Sequence, residues 1–190
     1  MPLGAARFGL LGGVADLGKL ELIETQNVTT STSYVDFTSL GSYNVHFITI
    51  NDIDTNASTG INRFMSARFF ESGVLESAGV YQYAHQYGFS NNTFGESKST
   101  TSTSIPFGAN VYSSTNSRSN SYCYFYNLTD NSKYSFMTYQ DISVDGGANF
   151  LMNFGSGVLP QASSVDGIRF QLDNDNITNA NFSLYGIAES

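Results

Sequence analysis

Apolar and polar residues alternate along the chain from Lys19 onward. Leu20 and Leu22 flank Glu21, and many later stretches repeat the same period of two. Strict alternation is typical of a strand that buries one of its faces, whereas an amphipathic helix repeats its apolar positions every three or four residues. Runs with helical spacing are hard to find in this sequence. The pattern therefore predicts an all-β chain.

About eleven apolar runs can be distinguished, and short steps rich in Asn, Asp, Ser and Gly separate them. The runs are LEL, SYVDFTSL, NVHFITI, RFMSARFFE, YQYAHQY, SIPFGANVY, SYCYFYN, KYSFMTYQ, NFLMNF, GIRFQL and NFSLYGI. Many short strands joined by turns favour a sandwich or a barrel over an alternation of strands and helices. We predict a single β-sandwich domain of about ten short antiparallel strands over residues 19–190.

Two stretches depart from plain alternation. In NVHFITI the apolar residues include the neighbours Phe47 and Ile48, so we expect a strand that is covered on both faces. Residues 95–122 are instead dominated by Ser and Thr. Because Thr has real β propensity, we predict an exposed edge strand and a loop there. Pro106 fits an edge or a strand start, where no ladder donor is needed.

The first 18 residues are rich in Gly and Ala and show no sustained period of either kind. They nevertheless carry the apolar residues Leu3, Phe8, Leu10 and Leu11. An apolar segment without a fold of its own usually needs a surface to lie on, either on its own domain or on a neighbouring subunit. We interpret residues 1–18 as an extended N-terminal arm that anchors the domain, and we expect these four residues to lie in an interface.

The charge of the chain limits its partners. Charged residues make up only 13%, and 8 basic against 16 acidic residues give a formal net charge of −8. Nucleic-acid binding needs a cluster of Lys and Arg to neutralise phosphates, and the sequence has none. The same deficit argues against docking onto an anionic membrane surface, and no stretch approaches the roughly 18 apolar residues of a membrane helix. A protein partner or a neutral sugar remains.

Sequence motifs of common enzyme classes are missing. There is no nucleophile elbow, no zincin motif and no P-loop, and the single Cys123 allows neither a zinc-binding pair nor an internal disulfide. His46 lies in an apolar run, where a hydrogen-bonded sheet residue is the usual explanation. A pair of carboxylates of the glycosidase type stays open in principle, although nothing indicates a particular pair. We expect a non-enzymatic protein without a cofactor.

Two acidic, Asn-rich steps raise the question of calcium. A loop of the EF-hand type needs Gly at position 6 and a bidentate Glu at position 12, but counting from Asp52 these positions hold Ala57 and Arg63. The second step, which starts at Asp173, fails in the same way. Asn and Asp also favour turns, and a turn is the interpretation that we prefer. A calcium site stays an alternative, with Asp52, Asp54, Asp173 and Asp175 as the oxygen donors.

Tyrosines recur at even spacing in two of the runs. Tyr81, Tyr83 and Tyr87 share one strand face with His85 if the register holds, and a second set comprises Tyr122, Tyr124 and Tyr126. Tyr is enriched in protein interfaces, and its ring can also stack on a sugar. The alternative is a sheet face whose rings cover the core. Because Trp is missing from the chain, we favour an interface at Tyr81, Tyr83 and Tyr87 over a dedicated glycan-binding site.

Several stretches together resemble small virion structural proteins of tailed bacteriophages of the marine type. They are LELIETQNVTTSTSYVDFTSL, YNVHFITINDI, YFYNLTDNSKYSFMTYQ, FGSGVLPQASSVDGIRFQL and NFSLYGI. The resemblance spans nearly the whole chain and rests on strand-and-turn patterns, so it supplies no catalytic residue. It implies a jelly-roll-like β-sandwich that decorates a capsid or belongs to a tail appendage.

These observations lead to one functional expectation with one alternative. We expect a non-enzymatic virion protein that decorates the capsid, binds other virion proteins and forms a homo-oligomer, for which a trimer is the arrangement we consider. The alternative is a tail appendage that binds a receptor glycan. The compact chain favours decoration, because receptor-binding tail proteins more often have a fibrous shaft or repeats.

Overall fold

The computed structural model describes residues 19–58, 61–113, 116 and 118–188, which contain thirteen strands and no helix. No helix long and apolar enough to cross a membrane is found among these residues. The strands are β1 (Lys19–Val28), β2 (Tyr34–Phe37), β3 (Val45–Thr55), β4 (Asn62–Glu71), β5 (Val74–Leu75), β6 (Tyr81–Phe89), β7 (Phe94–Ser102), β8 (Ile105–Tyr112), β9 (Ser119–Tyr126), β10 (Ser135–Val144), β11 (Phe150–Leu159), β12 (Val165–Leu172) and β13 (Ile177–Ala188).

The strands form two antiparallel sheets. The larger sheet has eight strands in the order β1-β13-β3-β9-β10-β11-β6-β7, and the smaller sheet has the order β2-β12-β4-β5. Strand β8 pairs with β4 near the start of β4, whereas β5 pairs with its last two residues. The sheets pack face to face, which confirms the predicted all-β sandwich. Each of the eleven apolar runs lies within or overlaps a strand.

Aromatic side chains fill the space between the sheets. The rings of Phe69 in β4 and Phe125 in β9 lie 6.0 Å apart between centroids, and Phe170 in β12 contacts both Phe125 and Phe182. These rings are fully buried. Burying one such side chain stabilises the fold by about 1.5–3 kcal/mol. The alternation seen in the sequence places one row of these residues on each inner face.

The apolar pattern did not indicate two of the strands, β5 and β7, and the reason can be given for each. Strand β7 ends the larger sheet and consists mainly of Ser, Thr and charged residues, which confirms the exposed edge strand predicted within residues 95–122. Pro106 lies near the start of β8, whose pairing is with β4, as an edge position requires. Strand β5 has two residues and follows a tight turn at Ser72 and Gly73, both with positive φ.

The smaller sheet leaves one end of the larger sheet uncovered. Cys123 and Phe125, at inner positions of β9, are fully buried. In contrast, Tyr83 and Tyr87 of β6 and Ser97 of β7 occupy inner positions and are only half-buried. An open space between the sheets therefore begins where β6 and β7 extend beyond the smaller sheet.

Candidate functional site

The side of the larger sheet that points away from the smaller sheet is termed the outer face. It is defined by the alternate residues of the paired strands that do not enter the core. They are Leu20 and Leu22 of β1, Tyr185 and Ile187 of β13, Phe47 and Thr49 of β3, Tyr122, Tyr124 and Tyr126 of β9, Phe136, Thr138, Gln140 and Ile142 of β10, Phe150, Met152 and Phe154 of β11, and Gln82, Ala84 and Gln86 of β6. None of these side chains is charged; on the same side, Asp52 and Asp54 lie at the bulge of β3 and form ion pairs with Arg118.

The outer face is also unusually apolar for an exposed surface. Seven of its large side chains are 41–60% exposed, namely Leu20, Leu22, Tyr122, Phe136, Ile142, Phe150 and Phe154. Glu96 and Lys98 lie on the same side, but on the edge strand β7, where they form an ion pair of 3.0 Å. Because isolated apolar residues are common on surfaces and contiguous apolar patches are not, this face indicates an interaction surface.

An aromatic cluster occupies the middle of the outer face. The ring centroid of Phe47 lies 4.7 Å from that of Tyr124, 6.3 Å from Tyr122 and 6.2 Å from Tyr185. The hydroxyl of Tyr122 donates a hydrogen bond of 2.7 Å to Oε1 of Gln140 on the next strand. Neighbouring rings and this bond restrict the rotamers before any partner arrives. The cluster therefore offers a partner a large apolar area at a reduced entropic cost.

A second candidate site lies on the opposite side of the larger sheet, in the uncovered space between the sheets. This aromatic cleft has a volume of about 470 Å³ and is lined by Phe64, Tyr83, His85, Tyr87, Phe89, Ser97, Pro106, Leu151 and Asp173. The four residues from β6 form a row, with successive ring centroids 5.6, 6.3 and 5.9 Å apart. The volume is in the usual range for ligand pockets, about 300–1,000 Å³.

The hydrogen bonds of His85 fix which ring nitrogen carries the proton. The hydroxyl of Tyr139 donates to the carbonyl oxygen of Pro106 at 2.9 Å, so its single proton is already used. The Nδ1 atom of His85 lies 2.8 Å from the same hydroxyl oxygen and must therefore donate to it. Burial lowers the pKa of His85, although the carbonyl of Pro106 acts in the opposite direction. In the neutral ring Nε2 is thus an acceptor.

Two further polar groups belong to the aromatic cleft. Oδ1 of Asp173 accepts a hydrogen bond of 3.0 Å from the backbone N–H of Phe64, which fixes the carboxylate in the lining of the cleft. The hydroxyls of Tyr83 and Ser97 are 3.2 Å apart. None of the residues that line the cleft is Lys or Arg. The cleft therefore combines an aromatic wall with hydrogen-bond acceptors and no cationic side chain.

The structure separates Tyr81 from the other predicted interface tyrosines. Tyr83 and Tyr87 line the aromatic cleft, but Tyr81 is completely buried. Its hydroxyl accepts a hydrogen bond of 2.9 Å from the N–H of Phe69 and donates one to the carbonyl of Glu76. Burial raises the pKa of Tyr81 well above its usual range. Tyr81 is therefore a core residue that joins the two sheets, and it is not available to a partner.

The arm predicted over residues 1–18 lies outside the described residues, as do its four apolar residues Leu3, Phe8, Leu10 and Leu11. Its anchoring role stays a prediction. The second tyrosine set, Tyr122, Tyr124 and Tyr126, lies on the outer face. The two tyrosine sets therefore lie on opposite sides of the larger sheet. Sequence alternation identified both sets, but it does not reveal which side of a sheet is covered.

The two acidic steps differ from each other in structure. Asp175 lies in the turn between β12 and β13 with φ 62°, and Arg63 Nε is 2.5 Å from its Oδ2, which confirms the turn interpretation there. Asp52 instead lies inside β3, at a bulge with φ 58°, so the turn interpretation is wrong at this residue. Its neighbour Asp54 pairs with Arg118 at 2.8 Å. Arginines thus neutralise carboxylates in both steps.

The described residues contain no group of three or more His, Cys, Asp and Glu side chains arranged to hold a metal ion. Cys123 is fully buried, and burial raises the pKa of its thiol, with Asp141 acting in the same direction. A thiol held in its neutral form is a poor nucleophile. Its environment is that of a small apolar core residue.

Comparisons with known proteins give no family for the chain. Neither family models nor curated proteins match it. Among solved structures, exo-inulinase from Aspergillus awamori is similar with a TM-score of 0.38 and 6% identity, over 93% of this chain and 31% of the inulinase. The CBM2 module of the Lactobacillus casei BL23 phage J-1 evolved Dit has a TM-score of 0.25 and 8% identity, over 91% of this chain and 81% of the module. Both likenesses are too weak to carry an argument about function.

Proposed function

We propose that this chain is a non-enzymatic structural subunit of a bacteriophage virion that assembles with copies of itself through the outer face. The single observation that carries the proposal is the outer face, whose defined positions on seven adjacent strands form a broad apolar surface without charged side chains; the charges on this side lie at the bulge of β3, in Asp52, Asp54 and Arg118. The resemblance of the strand-and-turn stretches to small virion proteins supplies the setting. Within it, capsid decoration is the role that we favour.

The size of the outer face supports a stable contact. Seven strands about 4.8 Å apart span about 34 Å, and strands of ten residues are about 33 Å long, so the face covers on the order of 1,000 Å². A standard specific interface buries about 800 Å² on each partner. One such face is thus large enough for a complete interface.

The distribution of charge supports a second copy as the occupant. The whole chain has a formal net charge of −8, so two copies repel each other wherever their acidic surfaces approach. Contact between two outer faces brings few carboxylates together, because the defined positions carry none and because Asp54 and Glu96, on the same side of the sheet, are each paired with a cation. Self-association of identical subunits through a shared apolar face is also the commonest way in which soluble oligomers form.

Two substitutions on the outer face test this proposal. We expect the wild-type chain to be an oligomer by light scattering after size exclusion, and the variant Phe136→Lys/Phe154→Lys to be a monomer. Both side chains are more than 40% exposed in the single chain, so lysine is tolerated by the fold. Desolvating two buried ammonium groups would oppose association strongly. Circular dichroism should show the same strand content in both proteins.

A matched control is Val74→Lys, which places a lysine on β5 of the smaller sheet at a residue that is 70% exposed. This variant should keep the wild-type mass. A monomeric wild-type chain at high concentration, or an unchanged mass in the double variant, would contradict the proposal.

Antibody labelling of particles would then distinguish decoration over the capsid from a tail appendage, and absence from particles would overturn the virion setting.

A further inference from the structure

We propose that the aromatic cleft is a binding site for a neutral oligosaccharide chain, independent of assembly through the outer face. The row of Tyr83, His85, Tyr87 and Phe89 would contact the sugar rings through ring faces and edges. Asp173 and Nε2 of His85 would accept hydrogen bonds from sugar hydroxyls. The cleft lies on the inner side of the larger sheet, so a ligand there and a partner on the outer face do not compete.

The aromatic row is accessible rather than part of the closed core. Its side chains are half-buried, and Phe64 on the facing strand β4 is 44% exposed. Fully buried inner residues elsewhere in the larger sheet, such as Phe125, contact the smaller sheet directly. Aromatic rings that stay partly exposed beside a cleft present flat apolar area to a ligand.

The shape of the row favours an extended ligand. Four rings at alternate positions of one strand, from Tyr83 to Phe89, form a row that is at most about 18 Å long, as their successive centroid distances allow. The planes of successive rings differ by 32°, 69° and 86°, so a chain of several sugar rings would stack on the faces of some rings and contact the edges of others. A compact quaternary ammonium ion instead needs aromatic faces on several sides of one point. The linear arrangement therefore selects the oligosaccharide.

The polar groups of the cleft select a neutral ligand that donates hydrogen bonds. The carboxylate of Asp173 and the neutral ring of His85 offer acceptors, and the hydroxyls of Tyr83 and Ser97 can both donate and accept. Without a lysine or arginine in the lining, an acidic sugar or a phosphate would meet Asp173 with no compensating charge. Sugar hydroxyls meet the requirement without such a cost.

Gly95 leaves free the space that the Tyr87 ring occupies. It lies opposite Tyr87 in the pair of β6 and β7, and a Cβ atom built there would come within 2.7 Å of Cε2 of the tyrosine ring. Only a residue without a side chain leaves this space to the ring. Gly95 is therefore a positioning residue, and Gly95→Ala should displace the ring without removing any group of the cleft.

The experiment is a titration of the full chain with neutral hexasaccharides of glucose, xylose and N-acetylglucosamine at millimolar concentration, followed by NMR chemical shifts. We expect saturable shifts with at least one of them. Tyr87→Ala and Gly95→Ala should weaken that binding by about tenfold or more. Asp173→Asn, which can keep the bond to the Phe64 N–H, should weaken it severalfold. A sialylated trisaccharide and choline should not bind.

The matched control is Tyr134→Ala, which removes an equally large, 47% exposed ring that belongs neither to the cleft nor to the outer face and should leave sugar affinity unchanged. Saturable binding by no neutral hexasaccharide would overturn the proposal, and so would binding that survives Tyr87→Ala, Gly95→Ala and Asp173→Asn. Tighter binding of choline or of the sialylated probe would also overturn it. The oligomer mass of each variant is measured separately, so a failure of sugar binding can be distinguished from a failure of association through the outer face.

Discussion

His46 combines full burial with a single hydrogen bond. Its Nε2 lies 2.8 Å from the carbonyl oxygen of Leu40, so the proton resides on Nε2 and is donated to that carbonyl. No described residue hydrogen-bonds to Nδ1. Protonation would place an unpaired N–H and a positive charge in the core. Burial therefore lowers the pKa of His46, while the bond to Leu40 acts in the opposite direction.

This arrangement predicts how stability depends on pH. Because the pKa of His46 is lower in the folded chain than in the unfolded chain, the unfolded state binds more protons as the pH falls through about 6.5. The free energy of unfolding should therefore be constant above that pH and should decrease below it. Urea unfolding followed by circular dichroism between about pH 7.5 and 5.5 measures this dependence.

The variant His46→Gln isolates the contribution of this residue. Its amide can still donate to the carbonyl of Leu40, but it does not titrate. We expect a smaller loss of stability on acidification than in the wild type, with the remainder due to His85, whose pKa burial also lowers. Equal pH dependence in the two proteins would show that His46 does not titrate in this range.

At the level of single residues, the sequence predicted the hydrogen bonding of a side chain better than its exposure to solvent. His46 was expected to be a hydrogen-bonded sheet residue, and this is confirmed. Tyr81 and Tyr83 have the same alternation, yet one is a core residue and the other lines the aromatic cleft. The difference depends on how far the smaller sheet extends over β6, and no local pattern contains that information. Asp173 and Phe64 also line the cleft, and the sequence did not predict that either residue belongs to this site.

Arg118 joins two carboxylates at the bulge of β3. Its Nη1 is 2.8 Å from Oδ2 of Asp54, and its Nε is 3.7 Å from Oδ1 of Asp52. Nδ2 of Asn179 in β13 donates to the backbone oxygen and to Oδ2 of Asp52, at 2.8 and 2.7 Å. The guanidinium therefore lies beside the carboxylates that a calcium ion would otherwise need. The bulge is stabilised by protein groups of two further segments.

From this geometry we expect the stability of the chain to be independent of calcium. The midpoint of thermal unfolding should be the same in millimolar EDTA and in millimolar calcium chloride. Arg118→Ala should lower the free energy of unfolding by about 1 kcal/mol, because it leaves the largely buried Asp54 without its cation. Lys98→Ala, in a pair that is mostly exposed, should have almost no effect. A midpoint that falls in EDTA would restore the calcium alternative.

Among the elements, the strands with apolar faces were predictable and the others were not. Strand β3 was expected to be covered on both faces, but among the described residues only its inner face packs against the smaller sheet, and its outward residue Phe47 contacts three tyrosine rings of its own sheet. Strand β7 was anticipated only as an edge, because Ser and Thr do not reveal a register. The two residues of β5 are too few for any period, and the bulge at Asp52 depends on long-range contacts with Asn179.

At the scale of the whole molecule, apolar area and charge are segregated. The outer face has no charged residue at its defined positions, whereas the chain carries a formal net charge of −8. Association through this face is driven by apolar burial and is opposed by repulsion between the remaining acidic surfaces. The two contributions respond differently to salt, because ions screen the repulsion and leave apolar burial almost unchanged.

Salt should therefore strengthen assembly. The Debye length shrinks from about 30 Å at 0.01 M to about 8 Å at 0.15 M ionic strength, so repulsion between acidic subunits is largely removed over this range. We expect sedimentation velocity at constant pH to show a severalfold lower dissociation constant at the higher salt concentration. The variant Phe136→Lys/Phe154→Lys should remain monomeric at both. Assembly that weakens as salt is added would mean that ion pairs hold the subunits together, which the uncharged outer face does not provide.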